Sequence, residues 1–333
     1  MITRFLTAIF ILIFSSSITV SAKVEKITYR KWIECYRISN DSITVIINAS
    51  AGGRIMVYER NNINVIYENP TQDGLLLVDY MKEGFDPDGA RFDYGQERIT
   101  SGIHATTFLG PYTGTILSDF SLKITSIADL ELGILTTRVF TLDPYSSRLN
   151  IIQTMKNISE KPVRYFFWGR TLVKIGGKLF MPLNPCSLYP DKWGRYIWGD
   201  VDKFESDSTD QGVEIKGCIF SLIPGDAKND KYGNDSQAGW MAYGYKSLLF
   251  IKKYDFNPEA SYTEDFGQTN IFYCKKYAFA EMEPLSPTAE LRPGDEYSFK
   301  EDWYLFNYRE CNEVSFDVNA ASEFIQNRIN NGK

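Results

Sequence analysis

The stretch AEMEPLSPTAELRPGDEYSFKEDWYLF, residues 280–306, contains two strand-like segments separated by a turn. Side chains two residues apart on a strand point to the same face, so Glu281 and Glu283 share one face. Ala280 and Met282 share the other face, which is predicted to pack in a core. Pro293-Gly294 marks the turn. The stretch therefore predicts consecutive β-strands, the first of which carries two carboxyl groups on one face.

The same kind of segment recurs along the chain. Short runs rich in β-branched and aromatic residues are bounded by Gly, Pro, Asn and Asp, and several alternate apolar with polar residues. The runs are SITVII (42–47), RIMVYE (54–59), GLLLVDY (74–80), LKITSI (122–127), ILTTRVFTL (134–142), RLNIIQTMKN (148–157), VRYFFWGRTLVKI (163–175), EIKGCIFSLI (214–223), SLLFIKKYDF (247–256), NIFYCKKYAFAEME (270–283) and EYSFKEDWYLF (296–306). Residues 319–331 have a helical pattern, with Asn319 as the expected N-cap. The sequence thus predicts an all-β protein of antiparallel sheets with a short C-terminal helix.

Composition and charge exclude several classes of function. The 333 residues carry a net charge of −6 and no run of Lys and Arg, so nucleic acid is not an expected partner. The five cysteines and one histidine include no CxxC spacing, so no metal and no cofactor is expected. The acidic stretch FDPDGARFD (85–93) lacks the spacing of a calcium loop and is interpreted as a turn. Disulfide pairing remains open.

The N-terminus, MITRFLTAIFILIFSSSITVSAKVEK, has the pattern of a secretory signal peptide. An arginine precedes a short apolar segment at 5–14, and VSA (20–22) is a small-residue cleavage site. Residues 1–22 are therefore predicted to be a signal peptide cleaved after Ala22, and residues 23–333 a single domain. No later apolar run is long enough to span a bilayer. The mature protein is expected to be secreted or periplasmic.

Three stretches together resemble galactose-mutarotase-like (aldose 1-epimerase-like) proteins. NASAGGRIMVYERNNINVIYENP (48–70) resembles their opening, in which a Gly-Gly-Arg turn joins two strands that lead to an ENP segment. NIIQTMKNISEKPVRYFFWGRTLVKIGGKLFMPLNP (150–185) is similar to their central strands, and residues 280–306 resemble their C-terminal signature, L-x-P-G-[DE] before a strand ending in W-x-L. The three stretches occur in the family's order. They are most similar to a secreted, sugar-related branch of that superfamily.

The resemblance implies a β-supersandwich of two large antiparallel sheets with a sugar cleft on the concave face. In the family's epimerases a glutamate is the base and a histidine the acid, usually with a second histidine nearby, because mutarotation moves protons at the ring oxygen and the anomeric hydroxyl. The resemblance places the base on the strand of Glu281 and Glu283 without choosing between them. His104 is the only histidine of the chain and the candidate acid. The alternatives are a solvated outer face for the glutamates and a hydrogen-bonded loop position for His104.

Four residues are candidates for binding the sugar. Trp168 and Arg170 share a face of one strand, and they either bind a sugar ring or make a cation–π contact with each other. Arg54 follows Gly-Gly and either reaches a sugar or forms a structural ion pair. Trp193 lies in a long polar connection, where an exposed tryptophan indicates binding unless it pins the loop.

These observations support three hypotheses. The first is an exported carbohydrate-binding protein that holds a mono- or oligosaccharide in the cleft and acts in glycan metabolism. The second is an epimerase-like isomerase of the aldose 1-epimerase type, with a Glu base and His104 as acid. The third is a non-catalytic structural or interaction protein. The single histidine favours binding over epimerisation, while turnover and the identity of the sugar remain open.

Overall fold

A computed structural model describes residues 23–95, 105–197, 203–228, 231–262, 269–275, 279–311 and 316–330 of the chain. The predicted signal peptide and His104 lie outside these ranges. Strands dominate the described residues, the strands pair antiparallel, and a helix closes the C-terminal end. The prediction of an all-β fold with a short C-terminal helix is confirmed.

The strands are numbered in chain order. The first half of the chain contributes β1 (Lys23–Tyr29), β2 (Trp32–Ser39), β3 (Thr44–Asn48), β4 (Arg54–Arg60), β5 (Ile63–Asn64), β6 (Ala90–Gly95), β7 (Tyr112–Ser118), β8 (Ser121–Ser126), β9 (Ile134–Leu142), β10 (Leu149–Asn157) and β11 (Val163–Lys174). The second half contributes β12 (Lys178–Pro182), β13 (Gly194–Ile197), β14 (Lys203–Glu205), β15 (Val213–Lys216), β16 (Ile219–Leu222), β17 (Lys231–Asn234), β18 (Trp240–Tyr254), β19 (Asn270–Lys275), β20 (Phe279–Pro284), β21 (Ala289–Leu291) and β22 (Glu296–Cys311). The helices are α1 (Leu77–Glu83), α2 (Ala105–Leu109) and α3 (Val318–Asn330), with a 3-10 turn at Pro70–Gln72.

Two sheets hold these strands. The larger sheet has 13 strands in the order β1-β2-β3-β4-β6-β11-β20-β19-β17-β13-β14, with β5 beside β4 and β21 beside β11. The smaller sheet has nine strands in the order β15-β16-β12-β18-β22-β10-β9-β8-β7. The strands β6, β11 and β20 are therefore neighbours at the middle of the larger sheet, although they are far apart in the sequence.

The main core lies between the two sheets, and strand alternation explains how it is filled. Every second residue of β9 and β10 is buried, as their sequence pattern predicts. The larger sheet contributes Phe92, Ala280 and Met282 to this core, and the smaller sheet contributes Phe140 and Trp303. The Phe92 and Trp303 rings stack across the interface with centroids 6.4 Å apart. The residues that alternate with this set on β6, β11 and β20 consequently point away from the core, to what we call the outer face of the larger sheet.

The run GLLLVDY (74–80) does not form a strand. It enters α1, where the side chain of Asp79 accepts a hydrogen bond of 2.9 Å from the backbone N–H of Leu76 and so caps the helix start. Gly84 ends the helix with a φ of +64°, a conformation that favours glycine. A short continuous apolar run fits a helix as well as a strand, and here the cap at Asp79 and the end at Gly84 favour the helix. The strand prediction for this run is wrong.

Two runs predicted as single strands are hairpins. EIKGCIFSLI (214–223) divides into β15 and β16 around Gly217, whose φ is +59°. NIFYCKKYAFAEME (270–283) divides into β19 and β20, which pair with Ile271 opposite Glu283. Ala280 and Met282 pack in the core as predicted, so the two glutamates of β20 are on the outer face.

The C-terminal helix forms where the sequence predicts it, with a different cap. The side chain of Asp317 accepts hydrogen bonds from the backbone N–H groups of Asn319, at 3.0 Å, and Ala320, at 3.2 Å. Asp317 is therefore the N-cap, and the prediction of Asn319 is wrong. Ile325 and Ile329 are buried against the smaller sheet, as the helical pattern predicts. None of the helices in the described ranges is long and apolar enough to cross a membrane.

Candidate functional site

The strand register brings charged side chains from three neighbouring strands together on the outer face. Arg91 of β6 pairs with Arg170 of β11, and Asp93 pairs with Trp168. Leu172 of β11 pairs with Glu281 of β20. Directly paired residues of antiparallel strands share a face, so these side chains lie side by side. Together with Lys231 of β17 they form a group that we call the outer cluster: Arg91, Asp93, Trp168, Arg170, Lys231, Glu281 and Glu283.

Glu281 is a buried carboxylate held by two arginines. Its side chain is 0% exposed and forms ion pairs with the guanidinium groups of Arg91 and of Arg170, the latter with Nε at 3.2 Å from Oε2. Burial alone would raise the pKa of Glu281, but the charges of Arg91 and Arg170 outweigh burial and hold the pKa at about 2. Glu281 is therefore ionised at neutral pH.

Glu283 lies in a different electrostatic environment two residues further on. It is 1% exposed, and the indole Nε1 of Trp168 donates a hydrogen bond of 3.0 Å to its Oε2. Burial raises its pKa, Lys231 opposes this effect, and the neighbouring carboxylate of Glu281 raises the pKa further, to about 8. The two carboxyl groups also interact through a hydrogen bond. At neutral pH Glu283 therefore carries a proton that it donates toward the carboxylate of Glu281.

The two arginines are fixed by further acidic and aromatic partners. Arg91 forms a second ion pair with Asp86, and Arg170 Nη1 lies 3.7 Å from Asp93 Oδ2. The guanidinium carbon of Arg91 lies 5.3 Å from the centroid of the Phe108 ring, within cation–π range. These contacts hold both guanidinium groups in one orientation against Glu281.

Trp168 holds the two cations beside it. The guanidinium carbon of Arg170 lies 4.7 Å from the ring centroid, and Lys231 Nζ lies 4.6 Å from it. Trp168 is only 5% exposed. Of the two alternatives for the Trp168–Arg170 pair, the structure has the cation–π contact. The ring is a support for the charges and not an open stacking surface.

A cavity of about 440 Å³ opens beside the outer cluster. Asp86, the partner of Arg91, and Phe279, which precedes Glu281 on the same face of β20, both line it. The ring of Tyr67 also lines this cavity and lies beside the Phe279 ring, with centroids 5.3 Å apart. A volume of this size accommodates a small ligand, and aromatic and amide groups line it as they line many ligand sites.

Two of the predicted binding residues lie outside the cluster. Arg54 is buried, and its Nη1 forms an ion pair of 2.9 Å with Asp88 Oδ1, while its Nε donates to the carbonyl of Ala51. Trp193 is also buried and packs in the main core, with its ring centroid 5.3 Å from that of Phe220. Both residues therefore make structural contacts, Trp193 also lines a separate cavity, and sugar binding by either residue stays a prediction. His104 falls outside the described residues, and its role stays a prediction.

Several residues of the cluster were not anticipated from the sequence. FDPDGARFD (85–93) was interpreted as a turn, but Ala90–Gly95 is strand β6, which presents Arg91 and Asp93. The alternation of two charged residues with apolar ones in ARFDYG is the signal that identifies them. Lys231 has no comparable signal, because it lies in a polar connection that forms only a short strand.

The described residues include no group of three His, Cys, Asp or Glu side chains arranged to hold a metal ion. Cys35, Cys186 and Cys218 are free thiols. The outer cluster contains three carboxyl groups, those of Asp93, Glu281 and Glu283, and three cations, those of Arg91, Arg170 and Lys231.

No protein-family model and no curated protein sequence matches this chain. Solved structures are similar to it over most of its length. A galactose 1-epimerase from Lactobacillus acidophilus superposes with a TM-score of 0.56 at 10% identity, covering 87% of this chain and 100% of that chain. A galactose mutarotase-like protein from Clostridium acetobutylicum superposes with a TM-score of 0.56 at 12% identity, covering 86% and 99%.

A galactose mutarotase-like protein from Lactobacillus casei gives the same result, with a TM-score of 0.54 at 12% identity and coverage of 81% of this chain and 99% of that chain. At such identities a similarity in structure shows the fold and does not transfer an activity. The nearly complete coverage of the related chains agrees with the resemblance seen in the sequence. This chain has the fold of the galactose-mutarotase-like proteins.

Proposed function

We propose that this protein binds a sugar on the outer face of its larger sheet, at the outer cluster and the adjoining cavity. The observation that carries the proposal is the pair of buried carboxyl groups, with Glu281 ionised and Glu283 protonated. A sugar hydroxyl both donates and accepts hydrogen bonds, so it can replace the hydrogen bond between the two carboxyl groups by accepting from Glu283 and donating to Glu281. The fold supports the proposal, since solved proteins that share it are named as a galactose 1-epimerase and a putative aldose 1-epimerase.

Burial strengthens such contacts. A hydrogen bond between a sugar hydroxyl and a charged group in a site of low dielectric constant is stronger than the same bond in water. The arginines already hold Glu281, so its carboxylate needs no reorganisation when a hydroxyl arrives. The aromatic side chains of Tyr67 and Phe279 in the cavity offer apolar contact to a sugar ring.

The predicted signal peptide extends the proposal to the location of the protein, which we propose to be outside the cytoplasm. An exported protein meets sugars of the environment and of the cell envelope, so glycan metabolism outside the cytoplasm is the corresponding role. Export is tested separately, by whether the chain made in its host lacks residues 1–22.

An epimerase-like isomerase is the second candidate, because Glu283 has a pKa of about 8, near the working pH of most enzymes. A group with such a pKa moves a proton in either direction with little cost. Glu281 is a weaker base, since the pKa of Glu281 is about 2. In this candidate Glu283 acts on one oxygen of the sugar, and His104 stays the predicted partner at the other.

The test combines binding and turnover. Melting temperatures of the protein and of Glu283→Gln are measured against neutral, amino and acidic sugars, because a ligand that binds only the folded state raises the melting temperature. Gln at 283 is neutral, as the protonated Glu283 is, so the fold is expected to persist. The control is Glu290→Gln, whose side chain is 79% exposed.

A stabilisation by a sugar that is lost in Glu283→Gln and kept in Glu290→Gln is expected. Turnover is followed by polarimetry of a freshly dissolved anomer of the sugar that binds. Binding with no faster mutarotation than in buffer assigns a binding protein, and faster mutarotation assigns the isomerase. If no sugar stabilises the protein, the proposal fails and the structural or interaction role takes its place.

A further inference from the structure

The buried lysines of the described residues differ in one respect. Three of them are less than a tenth exposed: Lys178, Lys231 and Lys252. Lys178 Nζ lies 3.0 Å from Glu214 Oε2, and Lys252 Nζ lies 3.2 Å from Glu301 Oε2. Lys231, which is 8% exposed, makes no ion pair or side-chain hydrogen bond within the part of the chain that the structure describes. Buried charges are normally paired, so Lys231 is an exception that requires a physical reason.

Aromatic rings hold the ammonium group of Lys231 in place. Nζ lies 4.6 Å from the centroid of Trp168 and 5.3 Å from that of Tyr196. Contact with two rings offsets part of the cost of removing a cation from water and fixes its position. It leaves the three N–H donors of the ammonium group without an oxygen acceptor among the described residues.

The carboxyl groups of the outer cluster do not accept hydrogen bonds from the ammonium group of Lys231. Glu281 is held by Arg91 and Arg170, and Asp93 lies against Arg170. Glu283 attracts Lys231 through its charge when ionised, but it lies beyond ion-pair distance and accepts its hydrogen bond from Trp168. Lys231 is thus a positioned cation that contacts Trp168 and lies on β17, the strand of the outer cluster farthest from β6.

We infer that Lys231 binds the acidic substituent of an anionic sugar, such as the carboxylate of a uronic acid or a sulfate ester. This inference rests on the proposed function, because it places the sugar at the outer cluster. A carboxylate or sulfate oxygen supplies the acceptors that the ammonium group lacks, and charge-assisted hydrogen bonds of this kind are the stronger ones. Lys231 then determines specificity between a neutral sugar and its acidic counterpart.

The experiment compares matched sugars by calorimetric titration. The protein, Lys231→Met and Lys231→Arg are titrated with galactose, galacturonate, galactose 6-sulfate, glucose and glucuronate. The control is Lys178→Met, which removes another buried lysine from the smaller sheet. We expect the unaltered protein to bind an acidic sugar about ten-fold or more tightly than its neutral counterpart. Lys231→Met weakens binding of the acidic sugar far more than binding of the neutral sugar and so removes this preference, whereas Lys231→Arg and Lys178→Met retain it.

The outcomes separate this inference from the proposed function. Equal affinity for galactose and galacturonate, or an equal loss of both in Lys231→Met, overturns the role of Lys231 and leaves sugar binding intact. No binding of any of the five sugars overturns both. A preference for the sulfate over the carboxylate identifies the acidic substituent. If Lys231→Met does not fold, the salt dependence of the unaltered protein decides, because only the acidic sugars lose affinity as salt rises if Lys231 pairs with them.

Discussion

Two groups of buried charges lie back to back on the two faces of the larger sheet. On the core side, Lys252 of β18 forms an ion pair with Glu301 of β22, and both are fully buried. Lys252 Nζ also donates hydrogen bonds of 2.8 Å to Thr171 Oγ1 and 3.3 Å to the carbonyl of Met282. Thr171 follows Arg170, and Met282 separates the two glutamates of the outer cluster. Strands β11 and β20 of the larger sheet, which carry Thr171 and Met282, therefore support a charged group on each face.

The groups differ in how completely their charges are paired. The core pair has one cation for one anion, and Glu301 accepts a further hydrogen bond of 2.8 Å from Trp303 Nε1. Gly169 makes room for the carboxylate of Glu301, since a Cβ at position 169 would lie 2.9 Å from Glu301 Oε1. The outer cluster instead keeps a proton on Glu283 and contains Lys231, which has no carboxylate partner among the described residues. The matched charges of the core pair suit a structural role, even though burial lowers the pKa of Lys252 and Glu301 Oε1 accepts no hydrogen bond among the described residues. A carboxyl group that keeps its proton beside a lysine without a counterion is instead typical of sites that bind ligands or react.

The largest expected effect comes from breaking the core pair. Lys252→Met leaves the carboxylate of Glu301 buried without its cation, and removing one partner of a buried pair costs about 3–5 kcal/mol of folding stability. The measurement is the free energy of unfolding in denaturant. We expect a much smaller change in sugar affinity, measured without denaturant, because the pair faces the core and reaches the outer cluster only through its charge interaction with Glu283.

The double variant Lys252→Met/Glu301→Gln is the control for this prediction. It removes both charges, and neutral replacement of a buried pair is far less costly than removal of one partner. The double variant should therefore be more stable than Lys252→Met alone. If the double variant is the less stable of the two, the pair is not isolated from its surroundings in the way the geometry indicates.

The contrast between the two groups also explains how much the sequence reveals. Alternation on one strand predicts that Glu281 and Glu283 share a face and that Ala280 and Met282 enter the core, because both statements depend only on local geometry. The partner of Glu281 is Arg91, 190 residues away, and nothing local specifies that β6 and β20 flank β11. Burial follows from the same long-range pairing, so the pKa values of Glu281 and Glu283 could not be predicted from the sequence either.

The second largest effect is expected in the pH dependence of stability, which distinguishes the outer cluster from the core pair. The pKa of Glu283 is about 8 in the folded state and near its ordinary value of about 4.3 in the unfolded state. Between about pH 4.3 and about pH 8 the folded protein binds more protons at Glu283 than the unfolded protein does. The free energy of unfolding therefore falls as pH rises, by up to about 1.4 kcal/mol per pH unit. Glu281 acts in the opposite direction, because its pKa of about 2 is below the ordinary value, and its contribution is lost only in more acidic solution.

The measurement is the free energy of unfolding across that pH window for the protein and for Glu283→Gln. We expect the slope to become less negative in the variant, since glutamine does not titrate. Glu290→Gln should keep the original slope, because its side chain is exposed. Identical slopes in all three proteins would mean that Glu283 is ionised in the folded state across the window, and the donor–acceptor description of the carboxyl pair would then be wrong.

The smallest effects come from two substitutions on opposite faces of β11, and they test whether the groups are independent. Thr171→Val removes the hydroxyl that accepts from Lys252, and Trp168→Phe removes the indole N–H that donates to Glu283. Each removes one buried hydrogen bond and is expected to cost about 1 kcal/mol of stability. Only Trp168→Phe should change sugar affinity and the pH slope, because only Trp168 contacts Glu283 and Lys231. If Thr171→Val changes them equally, the backbone couples the two faces, and the core pair is then part of the site and not only of the fold.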